Sequence, residues 1–134
     1  MLSALLLVQL AACAAMTGII WMVQIAIYPL FARLEGDAFD DYHTRYMARV
    51  TYVIAPLMLI EAASCAACLY FGDWQEMTPS ILLLAMAWAS TALIQVPQHA
   101  KLTPKTVPAL VHFNWIRTIA WTTRTVLLAS MAFG

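Results

Sequence analysis

Asn114, Arg117, Trp121 and Arg124 stand at steps of three, four and three within HFNWIRTIAWTTRTVLLASMAF, the run from His112 to Phe133. On a helix that spacing sets all four on one face. The rest of the run is suited to lipid, where a guanidinium costs roughly 2.5–3.5 kcal/mol on insertion scales. The stripe must therefore face protein, water or a ligand. The chemistry it offers is that of a buried cation, which pairs with a carboxylate or orients an anionic or carbonyl group.

Glu61 is the carboxylate at matching depth. It lies twelve residues past Arg49, about 18 Å at 1.5 Å per residue, and Arg124 lies twelve past His112. The two segments run in the same direction, so Glu61 and Arg124 are expected to meet as a buried ion pair. Such a pair either fixes the register of the helices or serves as a proton or anion site.

A second group gathers at one level. Gln24 and Tyr28 close the first apolar run, and His43, Tyr46 and Arg49 open the second. Gln95 and His99 close the third, and His112, Asn114 and Arg117 open the fourth. Helical bundles build ligand and cofactor sites from inward side chains of this kind, while polar residues at a membrane interface are equally satisfied by water and headgroups. Histidine titrates near neutral pH, which makes His43 and His99 candidate acid/base groups. Histidines from two helices also suit a metal ion or a haem iron, with Arg49 and Arg117 free to hold propionates. Gln24, Tyr28, Tyr46, Arg49, Gln95, Asn114 and Arg117 are the candidate ligand-binding residues. His112 falls beside the stripe and reads as interfacial. Cys65 and Cys68 form a CxxC near a helix C-terminus, where the dipole disfavours a thiolate, so they read as small core residues.

The elements that must position these groups follow from composition. Of 134 residues, 63% are hydrophobic and 10% charged, with mean hydropathy +0.79, against about 25% charged in soluble domains. Four runs of membrane length fit the chain, at about 2–31, 49–71, 81–96 and 112–133, with short connections. The expected fold is a single all-α domain, an antiparallel four-helix transmembrane bundle. Leu2 to Phe31 is too long for a signal-peptide core and lacks a basic leader. Net charge is zero, which leaves no basic footprint for nucleic acid. Three cysteines within apolar runs argue against a disulfide framework. Pro56 is expected to kink the second run, Gly36-Asp37 to turn the chain with Asp37 as a helix cap, Gly72-Asp73 to end the second helix, and Pro79-Ser80 to start the third.

Arg33, Arg45, Arg49, Lys101 and Lys105 all flank the first and third connections, whereas the second carries Asp73 and Glu76 and no cation. By the positive-inside rule the first and third connections are cytoplasmic and both termini outside. This places the histidines at the cytoplasmic face.

IWMVQIAIYPLF, YHTRY, APLMLIE, STALIQVPQHAKL and NWIRTIAWTTR together resemble a widespread set of small bacterial integral membrane proteins of unknown function. The likeness covers nearly the whole chain and implies a bacterial inner-membrane location without implying an activity. A fainter likeness, in size and in the Trp-to-Tyr-Pro end of the first run, links the chain to haem-binding membrane protoporphyrinogen oxidases and to anthrone-oxygenase-like membrane proteins. Neither motif set is complete here, and no catalytic residue transfers from them. Two functional expectations result. One is a membrane-embedded, cofactor-binding oxidoreductase acting on a lipophilic small molecule such as a quinone, porphyrin or polyketide. The other is a non-enzymatic transporter subunit or structural partner built on the Glu61–Arg124 pair. The bilayer is the one partner expected in either case, and assembly into an oligomer stays open.

Overall fold

The computed structural model describes residues 1–72 and 74–134. The chain is all-α, and among the described residues there is no strand. Four helices follow one another: α1 Leu2–Phe31, α2 Gly36–Phe71, α3 Trp74–Ala100 and α4 Val107–Phe133. The first three are long and apolar enough to cross a membrane. The fourth, also expected to be of that kind, is not counted with them, because Asn114, Arg117 and Arg124 dilute its apolar length. Those side chains are turned inward instead, leaving Val126 and Ile119 exposed.

Three helices outrun their apolar segments. α2 starts at Gly36 rather than near Arg49, so His43 and Tyr46 are presented by a helix and not by a loop. The exposed Arg45–Asp41 contact at 3.0 Å, one turn apart, supports this polar extension. Gly36 carries φ +55, a left-handed conformation that costs an L-residue about 1–2 kcal/mol. The residue before it, Glu35, occupies the cap position and makes no side-chain cap bond. Asp37 therefore lies in the first turn, where its charge meets the helix dipole, and does not cap. Pro56 sits within continuous α2. Pro79 and Ser80 lie inside α3, which already begins at Trp74. Asp73, expected to end α2 with Gly72 and to add charge to the second connection, lies outside the described residues.

Two helices carry a π-helical turn, Val23–Ile27 in α1 and Thr91–Gln95 in α3. Each turn is followed by a residue and then a proline, Tyr28-Pro29 and Val96-Pro97. Proline's ring collides with the carbonyl four residues back. A turn widened by one residue relieves that collision: the Tyr28 N–H bonds to Val23 O and the Val96 N–H to Thr91 O, each five residues back.

α1 packs on α2 and on α4, α4 also packs on α3, and α2 and α3 face each other more loosely. The α1–α4 seam is close because its residues are small. Thr17 Oγ1 bonds its own helix at Cys13 O (2.9 Å) and lies 3.0 Å from Trp121 O and 2.8 Å from Thr125 Oγ1 across the seam. Small polar residues of this sort join helices where water is scarce. The largest buried hydrophobic cluster includes Met16, Ile20, Val23, Phe31, Trp121 and Leu128.

Candidate functional site

Two polar centres lie inside the helices. In the first, the fully buried Arg124 guanidinium pairs with Glu61, also fully buried. Its Nη2 donates to Gln9 Oε1 at 2.8 Å, and its Nε to Ser80 O at 3.2 Å and Ser80 Oγ at 3.1 Å. The second Glu61 oxygen accepts from Trp121 Nε1 at 3.0 Å. All four helices therefore meet on one cation. A buried charge needs this degree of saturation, since its attraction to a partner alone barely offsets desolvation. Gln9 was not singled out from the sequence, although it is a lone amide in a long apolar run and stood out in principle, and Ser80 was read only as a helix start.

The second centre starts from the residues around the π turns. Gln24, in the first turn, donates from Nε2 to Val111 O (3.0 Å), and its Oε1 accepts from Asn114 Nδ2 at 2.8 Å and from Thr118 Oγ1 at 3.3 Å. Gln24 and Asn114 thus tie α1 to α4. One turn on, the Tyr28 hydroxyl is 2.9 Å from His99 Nε2, and His99 Nδ1 is 3.0 Å from His43 Nε2. The imidazoles are stacked, with planes 11° apart and centroids 5.3 Å apart. Phe39 stacks on His43, while Phe31 meets it edge-on. The result is an unbroken hydrogen-bonded row, Tyr28–His99–His43, from the interior to a half-buried ring. Because each imidazole has one N–H and one bare nitrogen when neutral, the row has two arrangements of opposite polarity and can pass a proton from end to end.

A cavity of about 220 Å³ adjoins this row. It fills the loose seam between α2 and α3, with Val50, Ile54 and Met58 on one side and Thr91, Gln95 and Val96 on the other. Tyr28, Tyr46, His99 and Arg117 close its inner end. Gln95 is 1% exposed, and both its amide oxygen and its amide nitrogen lack a partner; Arg117 is 6% exposed and its Nε lacks one too. Among the described residues no carboxylate lies within ion-pair distance of Arg117. Its guanidinium carbon instead lies 5.7 Å from the Trp121 ring centroid. A larger cavity of about 560 Å³, between Leu2, Cys68, Met77 and Met131, borders none of the unpartnered buried polar side chains described.

Of the candidate ligand residues, Tyr28, Tyr46, Gln95 and Arg117 line the smaller cavity together with His99. Gln24 and Asn114 stand behind it as a strut. Arg49 does not join them: it is exposed on the outer face of α2, beside Tyr42 and Arg45, so the two arginines do not form a clamp. His112 is exposed as expected of an interfacial residue, and Cys65 and Cys68 are buried free thiols. Trp21 does not join Gln24 and Tyr28 inside the bundle; it is 37% exposed and donates to Thr122 Oγ1 at 3.0 Å. Trp88 is likewise turned outward, and Leu84, Ala87 and Ser90 form the buried face of α3 before its π turn.

As placed, His99 has no nitrogen free for a metal or a haem iron. Both ring nitrogens of His99 are engaged, and among the described residues no set of three His, Cys, Asp or Glu could hold a metal ion. The cavity also falls below the roughly 300–1,000 Å³ that enclose drug-sized ligands, so it suits one end of a molecule rather than a macrocycle. The chain matches no protein-family model, no curated protein and no solved structure.

Proposed function

We propose that this chain is an antiparallel four-helix transmembrane bundle that binds the oxygen-bearing head of a lipophilic small molecule and exchanges a proton with it. The observation that carries the reading is that one cavity is lined both by Gln95, unpartnered at both amide atoms, and by Arg117, which has no carboxylate partner among the described residues. Buried polar groups without partners cost about 1–3 kcal/mol each, more when charged, so their presence beside a cavity points to a ligand that satisfies them. Three apolar helices of spanning length support the membrane placement. So do Leu30, Leu59, Leu82 and Leu93, exposed on the outer faces of α1, α2 and α3. In the bacterial inner membrane, with the first and third connections cytoplasmic, His43 would open to the cytoplasm and the α2–α3 seam to the bilayer.

In this reading Arg117 and Gln95 bind and orient the head, and Tyr28 lies at the row's inner end to give or take a proton. His99 relays it, and His43 exchanges it with water. A redox reaction would need an electron acceptor in addition to these groups, which supply proton transfer and charge stabilisation. The competing structural reading draws on Glu61–Arg124, whose saturated contacts across four helices favour a lock over a moving proton site.

Thermal unfolding of detergent-purified protein with a panel of probes (a naphthoquinone, a porphyrin and a long-chain carboxylic acid) tests the site. At least one probe should raise the transition in the wild type and not in Gln95→Leu. A wild type indifferent to the whole panel would leave the structural bundle as the better account.

A further inference from the structure

The reading of the α2–α3 cavity as a ligand site leaves open what the head group is, and the unsatisfied atoms narrow it. Arg117 brings a positive charge that no carboxylate of the described protein neutralises. Its planar fork matches a two-oxygen anion. Gln95 brings a donor nitrogen and an acceptor oxygen on a single planar amide, both unpartnered. A primary amide of this kind pairs in two-point fashion with a carboxyl group, donating to its carbonyl oxygen and accepting from its O–H. One group satisfies both residues in its two protonation states: a carboxylic acid meets Gln95 as the acid and Arg117 as the carboxylate. The volume, about 220 Å³, admits a carboxyl head with the first part of a single chain. The walls beyond the head are Val50, Ile54, Met58 and Val96, which are apolar. Val96 is exposed on the outer surface, so the chain's remainder can leave through the seam into lipid.

We infer that the ligand is a single-chain carboxylic acid, taken from the bilayer as the neutral acid and held as its carboxylate. Entry as the acid avoids carrying a charge through hydrocarbon. Ionisation then occurs where Arg117 waits. The ligand's O–H bond breaks and its proton passes to the Tyr28 oxygen as Tyr28 gives its own proton to His99 Nε2. His99 Nδ1 gives its proton to His43 Nε2, and His43 releases one from Nδ1 to water. One proton enters the row and one leaves. The row ends in its reversed arrangement, with the Tyr28 O–H free to donate to the new carboxylate and His99 Nε2–H donating to the Tyr28 oxygen.

The inference also explains an oddity. Arg117 rests on the Trp121 face without a carboxylate counter-ion, unlike Arg124, which is saturated. Arg117→Met should therefore leave the ligand-free fold intact or firmer while removing the site.

The test is isothermal titration of the purified full chain, in neutral detergent, with palmitic acid, its methyl ester and the alcohol of equal length. Runs in two buffers of different ionisation enthalpy count protons, at a pH where titration of the micelles alone shows the free acid protonated. Wild type should bind the acid with release of close to one proton per ligand, and the ester and alcohol at least about tenfold more weakly, as expected for loss of a charge-assisted contact. Arg117→Met should lose acid binding by at least about tenfold, with Arg117→Lys, which keeps the charge but not the fork, falling between. Equal affinity for acid and ester, acid binding without proton release, or full acid affinity in Arg117→Met would each overturn the carboxylic-acid assignment. If the acid fails while the naphthoquinone stabilises the wild type through Gln95, the ligand class is wrong and the site itself stands.

Discussion

Changing Glu61 to Gln keeps the shape of the side chain and an oxygen for Trp121 Nε1, 3.0 Å away, but removes the charge opposite Arg124. Arg124 then keeps only neutral partners, Gln9 Oε1 and the two Ser80 oxygens. Stranding one member of a buried pair costs about 3–5 kcal/mol. Arg124→Gln strands the other, leaving a buried carboxylate that still accepts from the Trp121 indole but has no cation beside it, and should cost a similar amount. If the two residues contributed independently, the double variant would lose roughly 6–10 kcal/mol, the sum of two such costs. With both charges gone no ion is stranded, and the two amides can bond each other. The double variant should therefore be well short of the sum, by more than the ~0.5 kcal/mol within which distant sites add. Equilibrium unfolding in mixed neutral-detergent and dodecyl sulfate micelles, followed by tryptophan emission, measures all three variants. Strict additivity would refute the argument, because it would mean that neither charge is held in place by the other.

A reporter fused after Gly134 should be periplasmic and one inserted near Lys101 cytoplasmic; the opposite labelling at both would invert the bundle and turn His43 outward. Gly36→Ala should lower stability by about 1–2 kcal/mol, since its φ of +55 lies where a Cβ is disfavoured, and an unchanged unfolding midpoint would show that the α1–α2 connection tolerates another conformation. Gly72→Ala should also destabilise, because the added Cβ would sit 2.8 Å from the Cys68 backbone oxygen; a neutral effect would show that the end of α2 relaxes freely. His43→Gln should slow proton appearance on binding of a carboxylic acid by at least about tenfold in stopped-flow with a pH indicator, the scale on which positioned acid/base groups act, and wild-type rates would break the relay.

Much of the architecture was legible because period and polarity agreed. The three-four-three spacing of Asn114, Arg117, Trp121 and Arg124 marked a face, and all four are buried. Helix boundaries were less legible. Apolar runs report what faces lipid, whereas helices continue wherever local pairs such as Asp41 with Arg45 support them, so α2 begins well before its first membrane-length stretch. Gln9 escaped notice because a single polar residue in an apolar run carries no periodic signal, and Ser80 was read only as a helix start. The role of Gln9 is set by a partner more than a hundred positions away. Arg49 failed as a site residue for the converse reason: proximity in level was read without its angular position, and it points outward.

The same angular argument accounts for where the candidate site formed. In a regular α-helix, Trp88, Thr91, Gln95 and His99 would share a face, yet Trp88 is exposed while Gln95 and His99 are buried. The π turn over Thr91–Gln95 breaks the phase between the two halves of α3. Its upper half is free to bury Leu84 and Ala87 while its lower half aims Gln95 and His99 at α2. The turn over Val23–Ile27 does the same for Gln24 and Tyr28 in α1. Each wide turn sits beside a proline, so the sequence did hold the signal, in Tyr28-Pro29 and Val96-Pro97, but as a defect in periodicity rather than as periodicity. A bundle that followed one phase throughout would meet along all its seams. Here two helices change phase near the same end, the α2–α3 seam is the loose one, and the unpartnered Gln95 amide and Arg117 Nε border the space it leaves.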